Sequence, residues 1–279
     1  MRIDLLLADA TQRLTLAGSA SPRLDAEILL GHALERNRTW LYTWSDRVVT
    51  AAEQARFETL LAAREAGQPV AYLTGEREFW GLSLYVGRST LIPRPDTESL
   101  VEAALDKAAS GHGRALDLGT GTGAVALAFA SERPGWHVVG VDRVPDAVAL
   151  ARRNAKRLGL TNAVFLESDW FAALSGERFD LILSNPPYLA ADDPHLDQGD
   201  VRFEPHSALV ADDQGLADLH HLCLTAKAHL ASGGWLLFEH GMAQDSAVRE
   251  ALRQAGYDEV QTCNDLGGRP RVTLARLTL

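Results

Sequence analysis

The sequence predicts an α/β fold: a doubly wound, seven-stranded sheet preceded by a small helical bundle. Three observations carry this prediction. Residues 1–75 repeat apolar residues at helical spacing; from Arg114 onward short apolar runs alternate with helical patterns; and the chain closes on two alternating runs with no helix between them. The expected organisation is a helical N-terminal domain over 1–75, a β-hairpin linker over 76–92 and an α/β domain over 93–279.

Each element has its own signal. Ile3, Leu6, Leu7, Ala10 and Leu14 line one face of a first helix. Ser21-Pro22 is a good N-cap with proline at the first helical position, and Thr50 with Glu53 has capping-box spacing ahead of Phe57, Leu60 and Leu61. Alternation through Phe79, Trp80, Leu82, Leu84 and Val86 around Gly81 predicts the hairpin. Asp96 is placed to cap a helix buried through Leu100, Val101, Ala104 and Leu105. Strands follow at Ala115–Leu118, His137–Val141, Val164–Leu166, Phe179–Ser184 and Trp235–Phe238. The runs Glu259–Thr262 and Val272–Leu277 have no crossover helix between them, so they should pair antiparallel.

Composition narrows the function. Hydrophobic residues at 46% and charged residues at 23% indicate neither disorder nor membrane residence, and no apolar run is long enough to span a bilayer. With no charged and apolar leader, a cytoplasmic location is expected. Cys223 and Cys263 are too few and too far apart for a disulfide framework or a zinc site, and the adjacent His220 and His221 point in different directions on a helix, so no metal is expected. A net charge of −10 argues against direct nucleic-acid binding, and the cluster Arg152, Arg153, Lys156 and Arg157 reads as a solvated helix face.

Two stretches carry chemistry. Gly119-Thr120-Gly121-Thr122-Gly123 turns between a strand and a helix, where backbone must approach a ligand and adopt φ values that a Cβ forbids. Asp142 ends the next strand, where an acid accepts from ribose hydroxyls. Together they describe an adenosine-type pocket, although Gly119-x-Gly121-x-x-Ala124 also satisfies a dinucleotide fingerprint. Asp169 and Trp170, just past the third strand, are placed either to grip an adenine or to cap and pack. The second stretch is Asn185-Pro186-Pro187-Tyr188, at the carboxyl end of the fourth strand. Asn185 contributes an amide oxygen that accepts hydrogen bonds, the prolines have no N–H, and Tyr188 adds a flat ring. That set matches a planar NH2 group. The first and fourth strands of such a sheet are typically neighbours at the switch point, so both stretches should face one crevice. The long aperiodic stretch Leu189 to Leu216 reads as a functional loop.

These motifs resemble the class I S-adenosylmethionine-dependent methyltransferases. The fuller pattern, including Leu91 to Glu98, Glu204-Pro205, Glu239-His240-Gly241 and Arg271-Val272-Thr273, resembles the HemK/PrmC family of protein-(glutamine-N5) methyltransferases nearly end to end. The resemblance implies methyl transfer from S-adenosyl-L-methionine, giving S-adenosyl-L-homocysteine, to the glutamine of the Gly-Gly-Gln motif in class I peptide chain release factors. It implies that Asp117, Gly119, Thr120, Gly121, Thr122 and Gly123 hold the methionine end of the cofactor, with Asp142 at the ribose and Trp170 at the adenine side. Asn185 and Pro186 would accept from the glutamine NH2, while Pro187 and Tyr188 shape its slot; Asn185, Pro186 and Tyr188 are the expected catalytic set, with Asn185 also bordering the cofactor. A monomer is expected. A ribosomal-protein glutamine methyltransferase and a nucleic-acid amino-group methyltransferase are the alternatives, and a nucleotide-binding regulator or dehydrogenase would account for the glycine loop alone.

Overall fold

The computed structural model describes residues 1–108 and 111–278, which form two compact units: Met1–Glu76 with Pro194–Phe203, and Arg77–Asp193 with Glu204–Leu279. In the first unit, helices α1 (Ile3–Leu16), α2 (Pro22–Leu34), α3 (Arg38–Thr43), α4 (Ala51–Glu65) and α5 (Val70–Thr74) bury Ile3, Leu6, Leu29, Leu30, Phe57 and Leu61. Thr50 caps α4 through the complete capping box with Glu53. Ser21 precedes α2 as expected, but its hydroxyl donates to Asp25 Oδ1 instead of capping the helix. The loop after Tyr188 is not confined to the sheet domain. Its segment Pro194–Phe203 belongs to the helical unit, where Arg64 is held between Asp25 and Asp200, each at 2.8 Å.

The second unit opens with the hairpin β1 (Glu76–Phe79) and β2 (Leu82–Tyr85). Trp80 and Gly81, between the strands, both have positive φ, as a turn with the twist of the strands requires. Trp80 is held in that unusual conformation by Glu98, which accepts from its backbone N–H, and by Glu132, which accepts from its indole. Helix α6 (Glu98–Lys107) follows a turn, Pro95–Thr97. Here the expected Asp96 cap fails. Asp96 gives α6 no side-chain cap and instead pairs with Arg271 at 3.2 Å, a partner 175 positions away in the chain.

The sheet contains β3 (Gly113–Leu118), β4 (Trp136–Asp142), β5 (Ala163–Glu167), β6 (Phe179–Ser184), β7 (Leu230–Glu239), β8 (Asp258–Asn264) and β9 (Pro270–Arg276), in the order β5-β4-β3-β6-β7-β9-β8. The first five run parallel; β9 runs antiparallel to β7 and β8, as the missing crossover helix predicts. Near-continuous apolar strands such as Leu181–Leu183 are buried because both faces are covered. One face packs on α6, α7 (Ala124–Glu132) and α8 (Pro145–Leu158); the other buries Leu219, Leu222, Val248 and Leu252 from the helices Ala217–Thr225 and Asp245–Gln254. The basic cluster on α8 is exposed, as expected of a solvated face, and also makes local contacts. Arg152 donates to the Phe165 carbonyl, and Arg153 and Arg157 stack on Tyr85. The order reverses between β3 and β6, whose paired residues run from Ala115 with Leu181 to Leu118 with Ser184. Their carboxyl ends open the crevice.

Candidate active site

The crevice holds a cavity lined by Thr97, Gly119, Gly121, Asp142, Trp170 and Asn185, among others. The glycine loop reaches it by a tight path. Gly119, Gly121 and Gly123 all have positive φ, and at Gly123 a Cβ would press on Ala151, Leu127 and Phe165 at 3.1 to 3.2 Å. Asp117 anchors the loop from below: its Oδ2 accepts from the Thr120 hydroxyl at 2.6 Å and from the Ala126 N–H at 3.3 Å. Burial pushes its carboxyl up to about 7, against the pull of those two donors.

Asp142 closes the loop from β4. Oδ2 accepts from the Gly121 N–H and Oδ1 from the Val144 N–H, both at 2.9 Å, so the carboxylate is fixed by backbone and keeps lone pairs for a further donor. Trp170 has φ +47°, and the Ser168 hydroxyl donates to its carbonyl at 2.8 Å. Its ring lies 3.7 Å from where a Cβ on Gly119 would sit. Asp169 and Trp170 both line the cavity.

The tetrapeptide forms the opposite wall. Asn185 and Pro187 line the cavity, whereas Pro186 is buried and neither it nor Tyr188 is part of the lining. The Asn185 amide donates through Nδ2 to Thr97 Oγ1 at 3.3 Å, which leaves Oδ1 as the acceptor. The Tyr188 hydroxyl turns away, donating to Glu239 Oε1 at 3.2 Å, and its carbonyl accepts from Gln244. Burial and the neighbouring Glu239 push the Tyr188 phenol upward, so it stays protonated.

Known proteins resemble this chain in sequence and in fold. Residues 6–75 match the family model described as the PrmC N-terminal domain, and 109–256 match a methyltransferase domain. A release factor glutamine methyltransferase from Salmonella typhimurium is 55% identical over 94% of this chain and 95% of its own length; one from Vibrio cholerae is 55% identical over 98% and 96%. The chain belongs to the release factor glutamine methyltransferases. A methyltransferase structure from Pyrococcus furiosus shares the fold, with a TM-score of 0.55 at 19% identity over 82% of this chain and 100% of that one.

Within this methyltransferase family member, several supporting residues escaped sequence reasoning. Asn154, fully buried on α8, accepts from the Tyr85 N–H and donates to the Tyr85 and Thr122 carbonyls, tying the glycine loop to the hairpin. Its signal was an amide within the apolar stripe of Ala151 and Ala155. Glu204 is buried with Arg94 as ion-pair partner and accepts from the Ile92 N–H at 2.9 Å. Glu239, 1% exposed at the end of β7, accepts from Tyr188 of the tetrapeptide, and the buried Arg271 pairs with Asp96. Motifs containing these three were visible, but nothing in their spacing indicated a role. Among the described residues, no cluster of His, Cys, Asp and Glu is placed to hold a metal, and no helix is long and apolar enough to cross a membrane.

Proposed function

We propose that this chain transfers a methyl group from S-adenosyl-L-methionine to the side-chain amide nitrogen of the glutamine in the Gly-Gly-Gln motif of class I peptide chain release factors. The observation that carries this reading is the Asn185 amide, committed through Nδ2 to Thr97 and so presenting Oδ1 as an acceptor in the same cavity as Asp142 and the glycine loop.

The residues present fit the cofactor. Asp142 retains acceptor capacity suited to a ribose diol, Gly119 and Gly121 offer bare backbone, and Trp170 contributes an aromatic wall. When bound, the sulfonium supplies an already activated methyl group. The remaining work falls to this chain. An amide nitrogen is a poor nucleophile because its lone pair is delocalised into the carbonyl, so orientation matters most. Asn185 Oδ1 and the Pro186 carbonyl accept the two N–H groups of the glutamine, pointing the nitrogen at the methyl and stabilising positive charge as it develops. Pro187 bounds the slot, and Tyr188 fixes the tetrapeptide from behind through Glu239. The helical unit, residues 1–75, recognises the release factor, and the reaction belongs to the cytoplasm, where translation ends.

The test is mass spectrometry of purified release factor incubated with this protein and S-adenosyl-L-methionine. The expected result is one added methyl on the Gly-Gly-Gln glutamine. Methylation elsewhere, or none while the cofactor binds, would refute the substrate assignment.

A further inference from the structure

Behind the tetrapeptide lies a buried carboxylate that touches neither the cavity nor a full set of partners. Glu239 Oε1 accepts from Tyr188, while Oε2 is buried with no hydrogen-bond partner, as is Arg271 Nε. The Thr97 hydroxyl neighbours the same carboxylate and favours its charged form without completing a hydrogen bond to Oε2, and the charged groups around it are Arg271 on β9 and Asp96 in the turn before α6.

Counting protons along this chain of groups gives it a direction. Thr97 has one hydroxyl proton, and its oxygen already accepts from Asn185 Nδ2. An ionised Glu239 only accepts, so the Thr97 proton turns toward it and the Thr97 oxygen is left to receive Asn185 Nδ2. A neutral group at 239 adds a donor beside Thr97. The hydroxyl can then reverse and donate to Asn185 Oδ1, turning Nδ2 toward the cavity, where it would face the N–H groups of a substrate amide donor to donor.

We propose that the negative charge of Glu239 sets the orientation of the Asn185 amide through Thr97, making Glu239 a positioning residue for methyl transfer. The inference rests on the reading in which Asn185 Oδ1 accepts from the substrate glutamine. Burial raises the Glu239 carboxyl to about 7, so the charged, correctly polarised state fills as pH rises through neutrality.

The test measures release factor methylation against pH for the whole protein and for Glu239→Gln, Thr97→Val, Thr97→Ser and Asn185→Ala, with S-adenosylhomocysteine binding by calorimetry. Glu239→Gln keeps the shape and removes the charge. Its kcat should fall at least about tenfold with the KM for cofactor unchanged, and the rise in activity near pH 7 should disappear. Thr97→Val should behave likewise and Thr97→Ser should retain activity, which also guards against a folding defect at position 239. A Gln variant with kcat within twofold of the parent, or a weakened one that keeps the parent's pH profile, would overturn the proposal. If Asn185→Ala loses turnover while Glu239→Gln and Thr97→Val do not, only this inference fails; if Asn185→Ala keeps turnover, the substrate-slot reading fails with it.

Discussion

The two walls of the cavity are built by different means. The glycine-loop wall is a local construction: Asp117, Thr120, Gly121, Ala126 and Asp142 lie within one β-α-β unit, and short bonds among them fix the backbone. The tetrapeptide wall is held from a distance. Asn185 leans on Thr97, 88 positions earlier, Tyr188 on Glu239, 51 positions later, and Arg271 reaches Asp96 across 175. The lesson is one of division. The glycine-loop wall takes its shape from a compact local motif, whereas the direction of the Asn185 amide depends on partners that meet only once the sheet domain has assembled.

The largest effect that would sharpen this contrast comes from Asn185→Ala. It removes the acceptor on the tetrapeptide wall without touching the loop, so turnover should fall by about a hundredfold or more while S-adenosylhomocysteine affinity holds. Equal losses in both would mean that the walls are not separable. The converse change, Asp142→Ala, should weaken cofactor binding by about tenfold to a hundredfold, the range for a lost hydrogen bond to a charged group, and raise the KM for cofactor. Calorimetry and steady-state kinetics on both variants decide the matter.

This division also explains what the sequence made legible. The glycine turn, the strand before it and Asp142 could be read together because their spacing is the geometry. The antiparallel strand pair was equally legible, since chain with no crossover helix can only turn back. Asp96 was misread as a cap because the helix after it is adjacent in sequence, while its true partner, Arg271, is adjacent only once β9 has docked beside β7. The same reason hid Glu239: an acid at the end of an apolar strand has no local pattern that distinguishes a buried support from an exposed end. Segment Pro194–Phe203 was unreadable in another way, because its place beside Arg64 depends on a helix more than a hundred residues earlier.

A smaller effect tests how local the loop wall is. Asn154 on α8 is a long tether of this wall, linking the Thr122 carbonyl to β2. Asn154→Ala leaves buried donors and acceptors unpaired, so unfolding free energy should drop by about 2 to 3 kcal/mol in urea titrations. Cofactor affinity should follow it down only if α8, and not Asp117, sets the loop's shape.

The smallest effect isolates that anchor. Asp117 binds its proton up to about pH 7 in the folded protein, because burial disfavours the charge, whereas an exposed aspartate in the unfolded chain releases it near 4. The folded state therefore holds the extra proton between those values, and the stability linked to it is complete below about 4 and lost as pH rises through 7. Asn at this position has no proton to lose. Between pH 5 and 8 the melting temperature of Asp117→Asn, measured without cofactor, should therefore decline less steeply than that of the parent. Glu239, raised to about 7 in the same direction, keeps some slope in the variant, so the decline should shrink without vanishing. An unchanged slope would mean that Asp117 is already ionised at pH 5, and that the loop wall rests on a buried charge.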